Sequence, residues 1–247
     1  MKTHFKILFS IALLTSGIAN AQEMVSLESF NKIVASPRVN VILQQGDHES
    51  IKIIYNSIPE DKVNVMVKGN RLRIYLDHAR IVEKQVHIKE NGHHTKRGIY
   101  AGSSITAFVT YKSLKSLEIR GEQELRCDGD ISTDKFKLRA YGESEIRLAS
   151  LHAKKFKTSL YGENNLKISS GETNRQVYRL FGGNKIDTRG MKSAMASTRI
   201  YGEGKISVNA SEEVRVNAFG EPTINIQGTS IVSKGIIIGH ADIRVSK

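Results

Sequence analysis

The sequence predicts an all-β protein whose second half is a parallel β-helix, or solenoid. Two observations lead to this prediction: one glycine motif recurs about every 20 residues, and apolar residues alternate with polar ones around it. A fixed period of this length is typical of stacked repeats, in which equivalent residues form straight rows. The motif glycines are Gly121, Gly142, Gly162, Gly182, Gly202, Gly220 and Gly239.

Each repeat is predicted to contain two short strands with the glycine between them. Counted from the glycine, positions −2, +4 and +6 are apolar in nearly every copy, and the odd positions between them are mostly charged or amidic. This period of two indicates strands with one buried face. The glycine is expected at a bend or bulge that a side chain would obstruct.

Two architectures accommodate such strands: a parallel stack of coils, or an antiparallel sandwich or barrel built from hairpins. In a parallel stack equivalent residues lie about 4.8 Å apart, which favours layers of like residues. Position −2 shows this layering, with Ile119, Ala140, Leu160, Leu180, Ile200, Ala218 and Ile237. We therefore predict a solenoid over residues 117–247. An open strand edge invites association, so the last coil is expected to need a cap or a partner, including a homo-oligomer through the solenoid end or face.

Residues 1–21 are predicted to form a signal peptide. Lys2 and Lys6 precede an apolar run over residues 7–14, and Ala19-Asn20-Ala21 resembles a cleavage site. The run is too short for a transmembrane helix. The segment predicts an exported protein that is periplasmic, outer-membrane-associated or extracellular; a buried N-terminal helix is the alternative.

Residues 22–116 are predicted to form a non-repeating β region that packs on the solenoid or continues its stack. Apolar alternation over residues 63–67 and 72–76 flanks Lys68-Gly69-Asn70, which predicts a hairpin. Residues 39–43 and 51–55 are also strand-like and flank a turn-like segment. Residues 89–102 are polar, basic and rich in glycine, so they are expected to form a long loop or lid.

The order of these segments resembles the GIN-domain family, described as autotransporter adhesin head domains and common in Bacteroides-type bacteria. The resemblance lies in residues 30–34, 39–46 and 69–74, followed by the repeated Gly-Glu-x-x-Ile motif, and it covers nearly all of the chain after the signal peptide. It implies a secreted or cell-envelope β-helical protein without established enzymatic activity. Here the motif is Gly-Glu or Gly-Gly instead of Gly-Ile-Asn, so no role of that tripeptide is carried over.

The formal net charge of +12 suggests an acidic partner, such as an anionic glycan or another envelope polymer. A merely soluble, solvated surface is the alternative. Nucleic acid is not expected, because the exported chain has no nucleic-acid-binding motif. The single cysteine, Cys127, excludes an internal disulfide and lies at an apolar repeat position, where it is expected to act as a small hydrophobic residue.

The residues beside the glycines are the candidate binding site. Their alternation with buried positions predicts an outward row of rings, which would suit sugar rings or a partner protein. The alternative is an inward structural ladder in the solenoid core. The aromatic candidates are Tyr141, Tyr161, Phe181, Tyr201 and Phe219, and the basic candidates at position −3 are Arg139, Arg179 and Arg199.

Other groups of residues give weaker indications of a metal site or a catalytic site. The motif glutamates could bind Ca²⁺ or pair with neighbouring Arg and Lys side chains. His78, His87, His93 and His94 lack the spacing of a metal motif, and no catalytic motif is present. We therefore predict a non-catalytic binding protein without a metal or cofactor. The alternative is a polysaccharide lyase or hydrolase on a β-helix, which a pair of carboxylates in a groove would favour.

Overall fold

The computed structural model describes residues 24–90 and 93–246, so the predicted signal peptide lies outside the described residues. These residues form strands almost throughout, with one short 3₁₀ helix at Glu60–Lys62. The strands before the repeats are β1 (Val25–Ser26), β2 (Lys32–Ala35), β3 (Val39–Gln45), β4 (Ser50–Asn56), β5 (Val63–Val67), β6 (Arg71–Leu76), β7 (Gln85–Glu90), β8 (His93–Gly98) and β9 (Ser104–Tyr111). Those of the repeats are β10 (Ser116–Gly121), β11 (Glu124–Gly142), β12 (Glu145–Gly162), β13 (Asn165–Phe181), β14 (Lys185–Thr188), β15 (Met191–Tyr201), β16 (Lys205–Asn209), β17 (Glu213–Gly220), β18 (Thr223–Gln227), β19 (Ile231–Gly239) and β20 (Asp242–Ser246).

The second half is a parallel β-solenoid of about seven turns, as predicted. Strands one repeat apart pair in parallel and in register, so that Ile119 lies beside Ala140, and Ala140 beside Leu160. The −2, +4 and +6 rows point into the stack, where Leu125, Ile146 and Leu166 are fully buried. Like residues therefore lie on like residues, and the antiparallel sandwich is excluded.

The coils of the solenoid contain two stretches that matter for the site. The first ends at the motif glycine and is called the pre-glycine stretch; it covers residues 135–142 and their equivalents in register. The second follows the glycine and is called the post-glycine stretch; it covers residues 124–127, 145–148 and their equivalents. In both stretches alternate side chains face the core, and the others form an outer face.

The N-terminal region continues the stack and then caps it. Strand β2 pairs in parallel with both β10 and β6, and β3 pairs in parallel with both β11 and β9. Beyond these, β4 pairs antiparallel with β9, β1 with β4, and β5 with β6. The change from parallel to antiparallel pairing ends the repeat at this side of the molecule.

One detail of the N-terminal region differs from the sequence-based expectations. Residues 89–102 are not a long loop, because β7 and β8 pair antiparallel through Gln85–Gly98 and Val86–Arg97. Strands β3 and β4 flank a turn but do not pair with each other, because β9 lies between them. The hairpin at Lys68-Gly69-Asn70 is confirmed: Gly69 and Asn70 both have φ of 58°, and β5 pairs with β6 around them.

The core is mostly apolar, and two of its buried polar groups contain a tyrosine. Tyr178 contacts Gln176 and Thr188, and all three are at most 1% exposed. In the other group, the Tyr111 hydroxyl lies 3.3 Å from the Cys127 sulfur. Burial raises the pKa of both tyrosine hydroxyls and of the Cys127 thiol. These groups therefore stay protonated at neutral pH, and Cys127 occupies the buried position predicted for it.

Candidate binding face on the pre-glycine stretch

The motif glycines make the turn that orders the candidate site. All seven have φ between 95° and 127°, a left-handed conformation that strains other residues. A side chain on Gly162 would also overlap the carbonyl oxygen of Gly142 in the preceding coil. Each glycine therefore permits both the turn and the close contact between coils, and this repetition keeps the residues on either side in straight rows.

A short buried polar row follows the glycines at position +2. The Asn164 side chain donates hydrogen bonds to the Tyr161 carbonyl oxygen and to Asn184 Oδ1, at 3.1 and 3.0 Å. Its own Oδ1 accepts from the Ser144 amide. These bonds satisfy backbone groups that the turn would leave unpaired. Sequence reasoning missed this row. Its signal was the recurrence of polar residues, Ser144, Asn164 and Asn184, at a position that the period of two predicts to be buried.

The rings at position −1 form a continuous stack, here called the aromatic ladder, on the surface of the solenoid. Neighbouring ring centroids are 4.7–5.0 Å apart and the rings are within 8° of parallel. Tyr161 is 37% exposed and the other rings are half-buried. The members are Tyr141, Tyr161, Phe181, Tyr201 and Phe219.

Stacking covers the flat faces of these rings and leaves their edges toward solvent. At one end the Arg120 guanidinium lies 5.3 Å from the Tyr141 ring centre, and at the other Ile238 is in register with Phe219. A sugar therefore has no free ring face within the ladder. The exposed ring edges carry the positive part of the aromatic quadrupole, which attracts anions.

Beside the ladder the pre-glycine stretch presents three rows of cations, here called the basic face. Arg139, Arg179 and Arg199 lie in one row, as the sequence suggested, with Ser159 between the first two. The other cations continue the face in the next two rows toward the start of the stretch. They are Lys137, Lys157 and Arg215 in the nearer row, and Lys135, Lys155 and Arg175 in the farther one.

Most of these nine cations have no acidic partner. Over residues 24–90 and 93–246, only Arg139 among them is in an ion pair, at 3.5 Å from Glu118. Burial lowers the pKa of Lys137, and the positive charges of Arg139 and Lys157 lower it further. Like charges on this face therefore repel one another, and an external anion would relieve that repulsion.

The outer face of the post-glycine stretch is different because its arginines are paired. Arg126 contacts Asp128, Arg147 contacts both Glu124 and Glu145, and Arg189 contacts Asp187. The Arg189 contact holds the pKa of the Asp187 carboxyl below its usual range. The arginines of this face are therefore compensated within the protein, whereas its exposed lysines Lys167, Lys185 and Lys205 are in no ion pair of the described residues.

The motif glutamates form an exposed row on the other side of the ladder. In the part of the chain that the structure describes, Glu122, Glu143, Glu163, Glu203 and Glu221 make no ion pair, so the predicted pairing with Arg and Lys is wrong. No group of three or more His, Cys, Asp or Glu side chains in the described ranges could hold a metal ion. The histidines of the hairpin lie opposite lysines, with His87 beside Lys96 and His94 beside Lys89.

The fold and these surface rows define a β-solenoid with an elongated, charged candidate binding face. The chain belongs to the family described as "Putative auto-transporter adhesin, head GIN domain", whose model matches residues 29–230. The resemblance inferred from the sequence is thereby confirmed. No protein of curated function is detectably similar in sequence. No helix in residues 24–90 and 93–246 has the length and apolar character needed to cross a membrane.

Solved structures of similar proteins share the fold. A "putative adhesin" from Bacteroides fragilis superposes with a TM-score of 0.73 at 18% identity, covering 91% of this chain and 95% of that one. A "putative adhesin" from Parabacteroides merdae gives 0.66 at 15% identity, with coverage of 91% and 95%. A "putative lipid binding protein" from Parabacteroides distasonis gives 0.61 at 16% identity, with coverage of 91% and 96%.

Proposed function

We propose that this chain is a non-catalytic, exported binding protein that holds an anionic polymer, such as an acidic glycan of the cell envelope, along its basic face. The observation that carries the proposal is the contrast between the two outer faces. Arginines of the post-glycine stretch are paired with carboxylates and three of its lysines are not, whereas eight of the nine cations on the basic face are unpaired within the described residues. The description of the family as an adhesin head agrees with such a function.

The aromatic ladder defines how an extended ligand would lie. Its edges and the arginine row run parallel along the stack, so anionic groups of a polymer contact Arg179 and Arg199 in successive coils. The unpaired motif glutamates on the far side of the ladder repel the same groups. The ladder thus separates an attractive face from a repulsive one, and we therefore expect the polymer to lie along the solenoid axis.

Binding of polyanions by isothermal titration calorimetry tests the proposal. Polygalacturonate and dextran sulfate are the probes, and neutral dextran is the uncharged control. We expect both polyanions to bind at low salt and to bind more weakly as salt rises, because surface charge is screened. Lys155→Gln/Arg179→Gln/Arg199→Gln should weaken binding by about tenfold or more, as expected for the loss of central contacts.

The matched control removes the same charge from the post-glycine stretch. Lys167, Lys185 and Lys205 are exposed there, and changing all three to Gln lowers the net charge by the same amount. This control should bind the polyanions nearly as well as the wild type. Equal losses in the two triple variants would mean that only net charge matters, and the basic face would then not be the site.

A further inference from the structure

A cleft of about 400 Å³ opens where the N-terminal region meets the first coils of the solenoid. One wall is the segment between β6 and β7, with Ile81, Val82 and Glu83, and the other is the turn after β10, with Glu122 and Gln123. Pro37, Arg38, Arg120 and Tyr141 also line it. The cleft therefore adjoins one end of the aromatic ladder.

The segment that carries Ile81 and Val82 is firmly held. Glu83 makes a 2.8 Å ion pair with Arg38 and accepts a hydrogen bond from the Tyr100 amide. The Ser36 hydroxyl donates to the Arg80 carbonyl oxygen at 2.6 Å, and Ala79 is fully buried. The fixed backbone nevertheless displays Ile81 and Val82, which are 61% and 74% exposed.

The opposite wall offers polar groups without partners. Gln123 is only 6% exposed, and its side-chain oxygen has no hydrogen-bond partner within the described residues. Glu122 is exposed and in no ion pair of the described chain. Both residues line the cleft, so a ligand there would lie beside an amide and a carboxylate.

The charges of the cleft do not favour an anion. Arg38 is paired with Glu83, and Arg120 with Glu118, which also contacts Arg139. The lining charges, Arg38 and Arg120 against Glu83 and Glu122, sum to zero, so the cleft lacks the positive excess of the basic face. An apolar wall facing a carboxylate and an amide matches a pyranose, which has C–H groups on its ring faces and hydroxyls at its edge.

We propose that this cleft binds a neutral sugar residue, with Ile81 and Val82 against the ring and Glu122 and Gln123 hydrogen-bonded to its hydroxyls. The proposal is independent of polyanion binding, because it uses other residues and an uncharged ligand. The sugar would lie at the Tyr141 end of the ladder, next to the Arg120 side chain that covers that ring.

An array of neutral oligosaccharides, incubated with the protein at high salt, tests the proposal, since screening weakens contributions from the basic face. We expect at least one neutral glycan to be retained. Calorimetry with that glycan should then show a loss of about tenfold or more for Ile81→Ser/Val82→Ser and for Glu122→Ala. All three changes are at exposed positions, and thermal melts would verify that the variants are folded.

The chain offers matched controls for both changes. Glu143→Ala alters the same motif position one coil further along, and Ile231→Ser alters an isoleucine that is 75% exposed at the other end of the solenoid. Both should bind the neutral glycan like the wild type, as should Lys155→Gln/Arg179→Gln/Arg199→Gln. The proposal is overturned if no neutral glycan is retained, or if the cleft variants bind as tightly as these controls. Polyanion binding by the cleft variants tests the basic face and not the cleft, because the two proposals use different residues.

Discussion

The ring of Tyr161 lies parallel to that of Phe181, with centroids 4.7 Å apart and an angle of 4° between the planes. This arrangement makes the aromatic row both a structural element and part of the surface. Its faces stabilise the contact between coils, and its edges lie toward solvent. The two interpretations suggested by the sequence, an exposed row and a structural ladder, therefore describe different sides of the same rings.

Truncation of a ladder ring should cost less stability than truncation of a core ring. Tyr161→Ala removes two stacking contacts of a partly exposed side chain, each worth about 0.5–1.5 kcal/mol. Phe156→Ala empties a fully buried position, and such changes cost about 3–5 kcal/mol. Urea unfolding of the two variants measures both values. A Tyr161→Ala variant as unstable as Phe156→Ala would mean that the ladder is mainly a core element.

The motif glycines should not tolerate a side chain. Gly162→Ala should lower the free energy of unfolding by about 1–3 kcal/mol, because φ is 108° and the new Cβ would overlap the Gly142 carbonyl oxygen. Gly183→Ala is the control, since its Cβ would meet nothing closer than 3.7 Å. Thermal and urea unfolding give the comparison. Equal stability of the two variants would contradict a special role for the motif glycine.

The buried asparagine row should contribute measurably to stability. Asn164→Ala removes the acceptor of the Ser144 amide and the side-chain bond to the Tyr161 carbonyl oxygen, while Asn184 Oδ1 keeps the bond from the backbone amide of residue 164. Buried groups that lose their partner cost about 1–3 kcal/mol. Asn165→Ala, at the adjacent partly exposed position, should be nearly neutral. Urea midpoints that do not differ between these neighbours would show that the row is dispensable.

The solenoid could be predicted because its determinants are local and repeated. The glycine period and the buried −2, +4 and +6 rows are visible in one sequence, and Leu125, Ile146 and Leu166 occupy the core as their positions indicate. The exceptions are polar residues at core positions. Gln176 and Tyr178 are tolerated there because they contact each other and Thr188, a partner 10 or more residues away.

The cleft could not be predicted, because it depends on contacts between distant parts of the chain. Arg38, Glu83 and Gln123 come together only after β2 has paired with β10. The hairpin of β7 and β8 was missed for another reason: only Val86 and Ile88 alternate with polar residues in β7, and β8 has no apolar alternation. The aromatic positions were visible in the sequence, but ring stacking depends on coil spacing and side-chain rotamers.

Neutralising one lysine of the basic face should raise stability and weaken polyanion binding. The pKa of Lys137 is lowered in the folded protein, so its protonated form is less favourable there than in the unfolded chain. The destabilisation is present below the folded-state pKa and disappears as pH rises through the unfolded value. Lys137→Gln should therefore unfold at higher urea concentration than the wild type at pH 7. A lower urea midpoint would contradict the inferred charge repulsion.

The last coil should be protected from self-association by Lys234. This lysine is in register with Val216, which is fully buried, so the last described coil has an exposed charge where the preceding coil has an apolar residue. The register of β19 also shifts just after it, and both a lysine and a bulge hinder pairing at a strand edge. Ile236 and Ile238, which are 60% and 61% exposed, would otherwise add apolar area to a contact there.

Lys234→Val should increase dimers or larger species in sedimentation velocity experiments as protein concentration rises. Lys205→Val, which adds the same side chain to the outer face of an interior coil, should not. Equal association of the two variants, or none in either, would show that Lys234 does not prevent association through the edge of β19.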